Sequence, residues 1–396
     1  MKKIVNNDLV TVIATMGMGV LAMGVLQPIL PLYLTSIGVA PTILGFMFSV
    51  AMVGMVIGES SGGWIADRVG LKVPLSVGTF VCAPIVFCFV LTRDVPAIFL
   101  IFFFWGIVRA AIFGPGRGYV GNAVPLLKKA TFMGLLAAIL AISRSLGAFL
   151  SGFVADNWGY NWNFFLSALI ALMGGTVMLI GLRKIPLLMP RPQVTFSSPN
   201  VEPPSQKIAY NNRPFAFQCS VAVLYFLGMG VMNFLPLLAA QVVGATATEV
   251  GILITVGVLF NAAMLIPMGR LADQHGKRVF MILGLLVSAG GIAGLASAES
   301  FPWLIAFYII HNVGAAMFSP AAVALLSDTV PSHRQSTAMG VYGAWEDIGV
   351  ITGSALAGVA WTALGPLYTF LIGTISSVLG AGICFGLVRE KTSKNL

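Results

Sequence analysis

The chain has 396 residues, of which 58% are hydrophobic and 9% charged, with a formal net charge of +9 and a mean hydropathy of +0.95. An apolar share so far above the roughly 45–50% of soluble domains excludes a soluble globular protein. Apolar runs of about 20 residues without alternation exclude a membrane β-barrel and leave an all-α integral membrane protein. Twelve spans are expected, at roughly 9–34, 42–66, 74–91, 96–121, 131–155, 161–182, 214–241, 247–272, 278–298, 301–326, 336–361 and 366–388.

Span 1 contains Gln27-Pro28 and Pro31 and is too long for a signal-peptide core, so it is read as a retained helix. Span 2 ends in Gly63-Trp64-Ile65-Ala66-Asp67-Arg68-Val69-Gly70-Leu71-Lys72, an aspartate and two cations in a chain with few charges. Cys82 and Cys88 on span 3, Cys219 on span 7 and Cys384 on span 12 lie in apolar stretches without CxxC spacing, which argues against disulfides and zinc. Span 4 carries Phe102-Phe103-Phe104-Trp105, read as packing rather than a binding cage, then Arg109 near mid-depth and Arg117 closer to the cytoplasm. Span 5 carries Arg144 and the pair Gly147-Ala148. Arg183 to Arg213 holds six prolines with several Ser and Asn and reads as a solvated linker. Asn233 lies on span 7 and Asn261 on span 8, which ends in Gly269-Arg270-Leu271-Ala272-Asp273-Gln274-His275-Gly276-Lys277-Arg278. His311-Asn312 lies on span 10 and Glu346-Asp347 on span 11.

A shift of 206 residues carries Gly38 to Gly244, Thr42 to Thr248, Gly45 to Gly251, Gly63 to Gly269, Asp67 to Asp273, Gly70 to Gly276, Pro125 to Pro331, Gly147 to Gly353 and Gly152 to Gly358. Apolar composition alone does not produce a gapless offset through Asp, Pro and Thr, so the chain is a duplicated six-helix unit. Three parts are expected: a bundle over 1–182, a linker over 183–213 and a bundle over 214–396. Lys2, Lys3, Arg68, Lys72, Lys128, Lys129, the linker cations, Lys277, Arg278, Arg334, Arg389, Lys391 and Lys394 fall on one side of the twelve-span scheme, and Arg93 beside Asp94 on the other. The positive-inside rule then places both termini and the linker in the cytoplasm. The basic charge reports topology, not a nucleic-acid partner.

Asp67 and Asp273 end equivalent spans, where a carboxylate opposes its own helix dipole and is better placed against another helix N-terminus or an arginine. Both are read as parts of a conformational latch comprising Gly63, Asp67, Arg68, Gly70, Lys72, Gly269, Asp273, Gly276 and Arg278. These two stretches resemble the loop signature of the major facilitator superfamily, Gly-x-x-x-Asp-(Arg/Lys)-x-Gly-x-(Arg/Lys), and the six-plus-six organisation fits it along the whole chain. Gln27 to Leu34, QPILPLYL, and Ser319 to Gly340 are similar to patterns of its twelve-helix drug/proton antiporter branch. There are two departures. The branch's fourth-helix arginine falls on Phe102, though Gly106 is present, and its fifth-helix Gly-Pro pair is replaced by Gly147-Ala148.

The resemblance implies two pseudo-symmetric six-helix bundles, with spans 1, 4, 7 and 10 lining a central cavity, spans 2, 5, 8 and 11 between the bundles, and spans 3, 6, 9 and 12 facing lipid. The last four carry no mid-depth charge, in agreement. Ionisable groups inside a bilayer cost about 2.5–3.5 kcal/mol each and invite functional roles. Gln27, Arg109, Asn233, Asn261 and His311 are the candidates for the substrate cavity, and Glu346, Asp347, Arg144 and Glu59 for proton coupling. Static alternatives stand beside each: helix-joining ion pairs or snorkelling for Arg109 and Arg144, packing for His311 with Asn312 as its partner, and pairing with Arg144 for the acids. Asp347 shares its helical face with Gly340, Gly343, Ser354 and Gly358, and Glu346 shares its own with Tyr342, Gly349 and Gly353.

No phosphate loop, metal spacing or nucleophile–base motif occurs, so neither an enzyme nor an ATP-driven pump is expected, and no cofactor or metal. The expected activity is secondary active transport by alternating access, as proton-coupled efflux of hydrophobic or amphipathic compounds by a monomer in the inner membrane. Alternatives of the same fold are an organic-anion or metabolite transporter and a lipid flippase. From another class, a non-transporting membrane receptor or sensor is the alternative.

Overall fold

The computed structural model describes residues 7–70, 72–124, 126–181, 213–331 and 334–387, and every regular element among them is helical. Span 1 is α1 (Asn7–Leu26) and α2 (Leu30–Ser36). Spans 2 to 6 are α3 (Pro41–Val69), α4 (Lys72–Leu91), α5 (Val95–Ala123), α6 (Leu126–Trp158) and α7 (Tyr160–Gly181). Span 7 is α8 (Arg213–Val231), a 3₁₀ turn at Met232–Phe234 and α9 (Leu235–Gln241). Spans 8 to 12 are α10 (Ala247–His275), α11 (Lys277–Ala296), α12 (Phe301–Thr329), α13 (Gln335–Ala363) and α14 (Pro366–Leu387). The twelve expected spans therefore match to within a few residues. Among the described residues ten are at once long and apolar enough to cross a bilayer; α5 contributes a shorter apolar run, Val95–Ala110, and α13 carries Glu346 and Asp347. The expected linker lies outside the described residues except for Arg213, which opens α8.

Spans 1 and 7 are interrupted at the same place, and proline is the cause. A proline has no N–H to donate and its ring crowds the carbonyl four residues earlier. Pro28 and Pro31 act on Gly24 and Gln27, and the chain answers with a tighter turn in which Ile29 N donates to Leu26 O at 3.1 Å. Pro236 acts on Met232, whose carbonyl instead accepts from Leu235 N in the 3₁₀ turn. Gln27 and Asn233, 206 residues apart, sit at the two breaks.

The duplication is visible in the backbone. Among the described residues six glycines adopt left-handed φ: Gly38 (92°) and Gly244 (75°), Gly70 (86°) and Gly276 (103°), Gly159 (86°) and Gly365 (93°). Each pair is 206 residues apart, at the turns after spans 1 and 7, 2 and 8, and 5 and 11. A side chain in that conformation costs roughly 1–2 kcal/mol, which is why the turns use glycine.

Two compact units result. One contains the chain to Val39, Val50 to the end of α7, and Ala245–Thr255; the other contains Ala40–Ser49, α8 to Gly244, and Val256 onward. The division departs from a simple cut at the linker because the first turns of α3 and α10 are exchanged.

Within the first unit α1 packs on α6 and α7, and α4 on α5 and α7. Buried Phe89 meets Phe102 edge-on at 5.3 Å and stacks on Phe164 at 5.5 Å, and its carbonyl accepts from Tyr33 Oη at 2.9 Å. Helices come close where side chains are small. A methyl group on Gly24 would fall 2.7 Å from Arg144 O, and one on Gly106 would strike Ala51 O.

Within the second unit α8 packs on α13 and α14, and α11 on α12 and α14. Its core includes Tyr225, Phe318, Leu325, Tyr342 and Cys384, with Tyr225 and Phe318 rings 4.2 Å apart. Gly230 repeats the approach of Gly24, since a methyl group there would fall 2.6 Å from Val350 O.

Candidate functional site

In the first unit, the break in span 1 presents the Gln27 amide to span 5, where its Oε1 accepts from Arg144 Nη2 at 3.3 Å. Arg144 is otherwise exposed and Gln27 half-buried. Arg109 holds its guanidinium 5.4 Å from the ring centre of Trp105, one turn earlier on α5. Trp105 is buried and its indole N–H has no hydrogen-bond partner. Phe102, in the place of the branch arginine, is wholly buried in the Phe89 cluster, so that position is structural here. Glu59 is exposed on α3.

In the second unit three of the expected cavity residues bond to neighbouring helices. Asn233 Nδ2 donates to Ser354 Oγ on α13 at 2.9 Å, and Ser354 Oγ donates on to Gly230 O at 3.3 Å. Asn261 Nδ2 donates to Asn312 O at 3.1 Å. His311 is 2% exposed and shares a hydrogen bond of 2.9 Å with Ser288 of α11. The expected partner was Asn312, but that amide turns back to Tyr308 O at 2.8 Å. Neighbours in sequence point about 100° apart on a helix, so His311 faces the α11 seam, where a methyl group on Gly291 would strike its backbone. Glu346 and Asp347 are half-buried on α13. One turn before Glu346 the Tyr342 hydroxyl is buried without a hydrogen-bond partner.

The two signature turns share a left-handed glycine, Gly70 and Gly276. In the first, Arg68 lies 4.0 Å over the Trp64 ring, and Gly70 makes the turn into Lys72, which opens α4. The surroundings of Gly63 and the side chain of Asp67 lie outside what is described. In the second, Arg278 donates to the carbonyls of Cys384 and Phe385 in the last turn of α14, and Lys277 pairs with Asp328 at the end of α12. Cations there complement the negative ends of those helices. Asp273 is exposed, and a methyl group on Gly269 would meet only Pro320 at 3.7 Å. Among the described residues no three His, Cys, Asp or Glu side chains converge as metal ligands.

The family model for the Major Facilitator Superfamily matches residues 9–238 and 218–396. The chain belongs to that superfamily. It is 22% identical to Multidrug resistance protein 1 of Bacillus subtilis, over 96% of this chain and 95% of that one. It is 22% identical to Quinolone resistance protein NorA of Staphylococcus aureus, over 85% and 86%. The nucleoside transporter NupG superposes with a TM-score of 0.82 at 13% identity, over 98% of this chain and all of that one, which shows the shared fold. The all-α, multi-pass architecture and the superfamily read from the two signature turns are thereby borne out, and the chain is a membrane transporter of this superfamily.

Sequence reasoning missed Ser288 and Ser354, the hydroxyls that take up His311 and Asn233. Single serines in apolar spans give no periodic signal, although Ser354 shares the small-residue face of Asp347.

Proposed function

We propose that this superfamily member is a secondary active transporter working by alternating access of its 1–182 and 214–396 bundles across the linker, and that it exports hydrophobic or amphipathic compounds in exchange for protons. The observation that carries the substrate class is the use of polar groups inside the second unit. Asn233, Asn261 and His311 are each bonded to a neighbouring helix. Among the described residues of the second unit, the expected polar cavity side chains are thus engaged by the fold, which suits apolar recognition better than the many hydrogen bonds a sugar needs. The names of the multidrug and quinolone resistance relatives agree with this reading. Glu346 or Asp347 carries the proton, with Arg144 as the charged partner in coupling and Glu59 as the next candidate carrier, in a multi-pass protein of the inner membrane with cytoplasmic termini.

A second reading rests on one observation: Arg109 and Arg144 supply two guanidinium groups to the first unit, and guanidinium forks bind carboxylate or phosphate well. It makes the substrate an organic anion. Proteoliposomes with an imposed pH gradient separate the two. Hydrophobic cations and neutral compounds should accumulate under the gradient and compete with one another, whereas competition by carboxylates alone favours the anion reading. Absence of gradient-driven movement across both panels overturns proton-coupled export.

A further inference from the structure

The exchanged first turns of α3 and α10 are closed by side chains from the far ends of α13 and α6. Inside the first unit, Asp156, two residues before the end of α6, accepts from Ala247 N at 3.1 Å through Oδ1 and from Thr248 N at 2.7 Å through Oδ2. The next amide, Glu249 N, donates to Thr246 Oγ1 at 3.2 Å, and Glu249 Oε2 accepts from Thr246 N at 2.8 Å. The first three amides of α10 are therefore satisfied, two of them by a carboxylate distant in sequence. A carboxylate in the last turn of its own helix is unfavourably placed, and a second helix N-terminus beside it reverses that. The backbones close in at the same place: a methyl group on Gly251 would fall 2.5 Å from Ala148 O, and one on Gly152 would strike Ala247 O.

Inside the second unit the equivalent turn uses Thr362, which stands 206 residues after Asp156. Its hydroxyl accepts from Thr42 N at 3.2 Å and from Thr42 Oγ1 at 2.8 Å, while a methyl group on Gly358 would fall 2.6 Å from Pro41 O. The two copies share a geometry and differ in strength, because a hydrogen bond to an ionised acceptor is roughly twice as strong as a neutral one.

We propose that Asp156 is a clasp that holds the two sequence repeats together on the membrane face opposite the signature turns. The Asp156 carboxylate must leave the α10 N-terminus each time α6 and α10 part on that face, and Thr362 is a weaker companion at α3. The clasp rests on the alternating-access reading above. It is distinct from the signature latch, which lies at the other ends of spans 2 and 8. Asp156 is a positioning residue in this scheme: it sets how long the closed form lasts and touches no substrate.

The test uses the full chain carrying Thr255→Cys, two turns inside the clasp on α10, labelled from outside right-side-out cells with a membrane-impermeant maleimide. The parent with Thr255 intact gives the background from the four native cysteines. Losing a side chain that caps a helix N-terminus is worth a factor of about 2 to 30 in an equilibrium. The labelling rate should rise by that factor in Asp156→Ala, less in Asp156→Asn, which keeps one acceptor, and least in Thr362→Val. If Asp156→Ala does not fold, the Asn variant carries the comparison. A rate unchanged in the Asp156 variants, in protein of unchanged melting temperature, overturns the clasp. Asp67→Asn in the same background separates the two readings: if it shifts labelling while Asp156 does not, only the clasp falls, and if neither shifts it, alternating access falls too.

Discussion

Replacing His311 with alanine should damage the fold and spare the transport cycle. The imidazole is 2% exposed and bonded to Ser288 Oγ in the seam where Gly284, Gly291 and Gly314 let α11 and α12 approach. Truncation orphans a buried hydroxyl, at about 1–3 kcal/mol. It also leaves a void between helices whose tight glycine contacts limit collapse, so the sum lies at about 2–4 kcal/mol. For a unit of this size each kcal/mol moves the midpoint by about 2–4 °C, so a fall of ~4–16 °C is expected. Thermal unfolding in detergent, followed by transport assayed per folded molecule, reads both quantities. Transport per folded molecule should stay within about threefold, because a group sealed in a packing seam does not meet substrate or bulk protons. An unchanged melting temperature together with lost pH dependence of transport would refute this placement and put His311 in the coupling machinery.

Asp67→Asn should slow turnover while leaving substrate affinity within a few-fold, since the residue ends span 2 at ~20 Å or more from the midplane and acts on the conformational equilibrium; unchanged turnover counts against the latch. Asp273→Asn should matter less, because Gln274 replaces the cation at Arg68 and the neighbouring Lys277 and Arg278 are already engaged by α12 and α14. Arg109→Lys should lose most binding of an anionic substrate and little binding of neutral or cationic compounds, as the planar fork is gone while the charge remains; a competition panel distinguishes the two. Asp347→Asn or Glu346→Gln should abolish accumulation under an imposed pH gradient yet permit downhill exchange. Full gradient-driven transport in both single variants and in the double variant removes these acids from the coupling step.

The helices, their order and the duplication could be read from the chain because each rests on a repeated physical signal: runs of apolar residues, and glycines that recur at one offset because the same left-handed turn recurs. Gly159 and Gly365 were available to the same comparison and complete the set. The breaks in spans 1 and 7 were partly legible in Pro28, Pro31 and Pro236, while the bonds made by Gln27 and Asn233 were not, since they depend on which residue of another helix stands opposite. Asp156 shows the limit most clearly. Asp156, like Asp67 and Asp273, opposes the dipole of its own helix, but its answering N-terminus lies 91 residues away along the chain. Charge next to a turn reads as solvation until the opposing helix is known. His311 shows the same limit, because an adjacent Asn312 looks like a partner in sequence and points elsewhere in space.

The proline breaks have a consequence for local opening. Gly24 O and Gln27 O face Pro28 and Pro31 and have no amide four residues on, and Met232 O keeps only the shorter bond of a 3₁₀ turn. Segments that share fewer backbone bonds with their neighbours open at lower free energy than the helices flanking them. Deuterium should therefore enter the amides of Ile29 to Thr35 and Met232 to Ala239 before those of α1 and α8, even though Leu30, Leu34, Leu235 and Leu237 are almost wholly buried. In spans 1 and 7, rapid exchange would then mark a missing bond in the ladder and not exposure of the closed form to water.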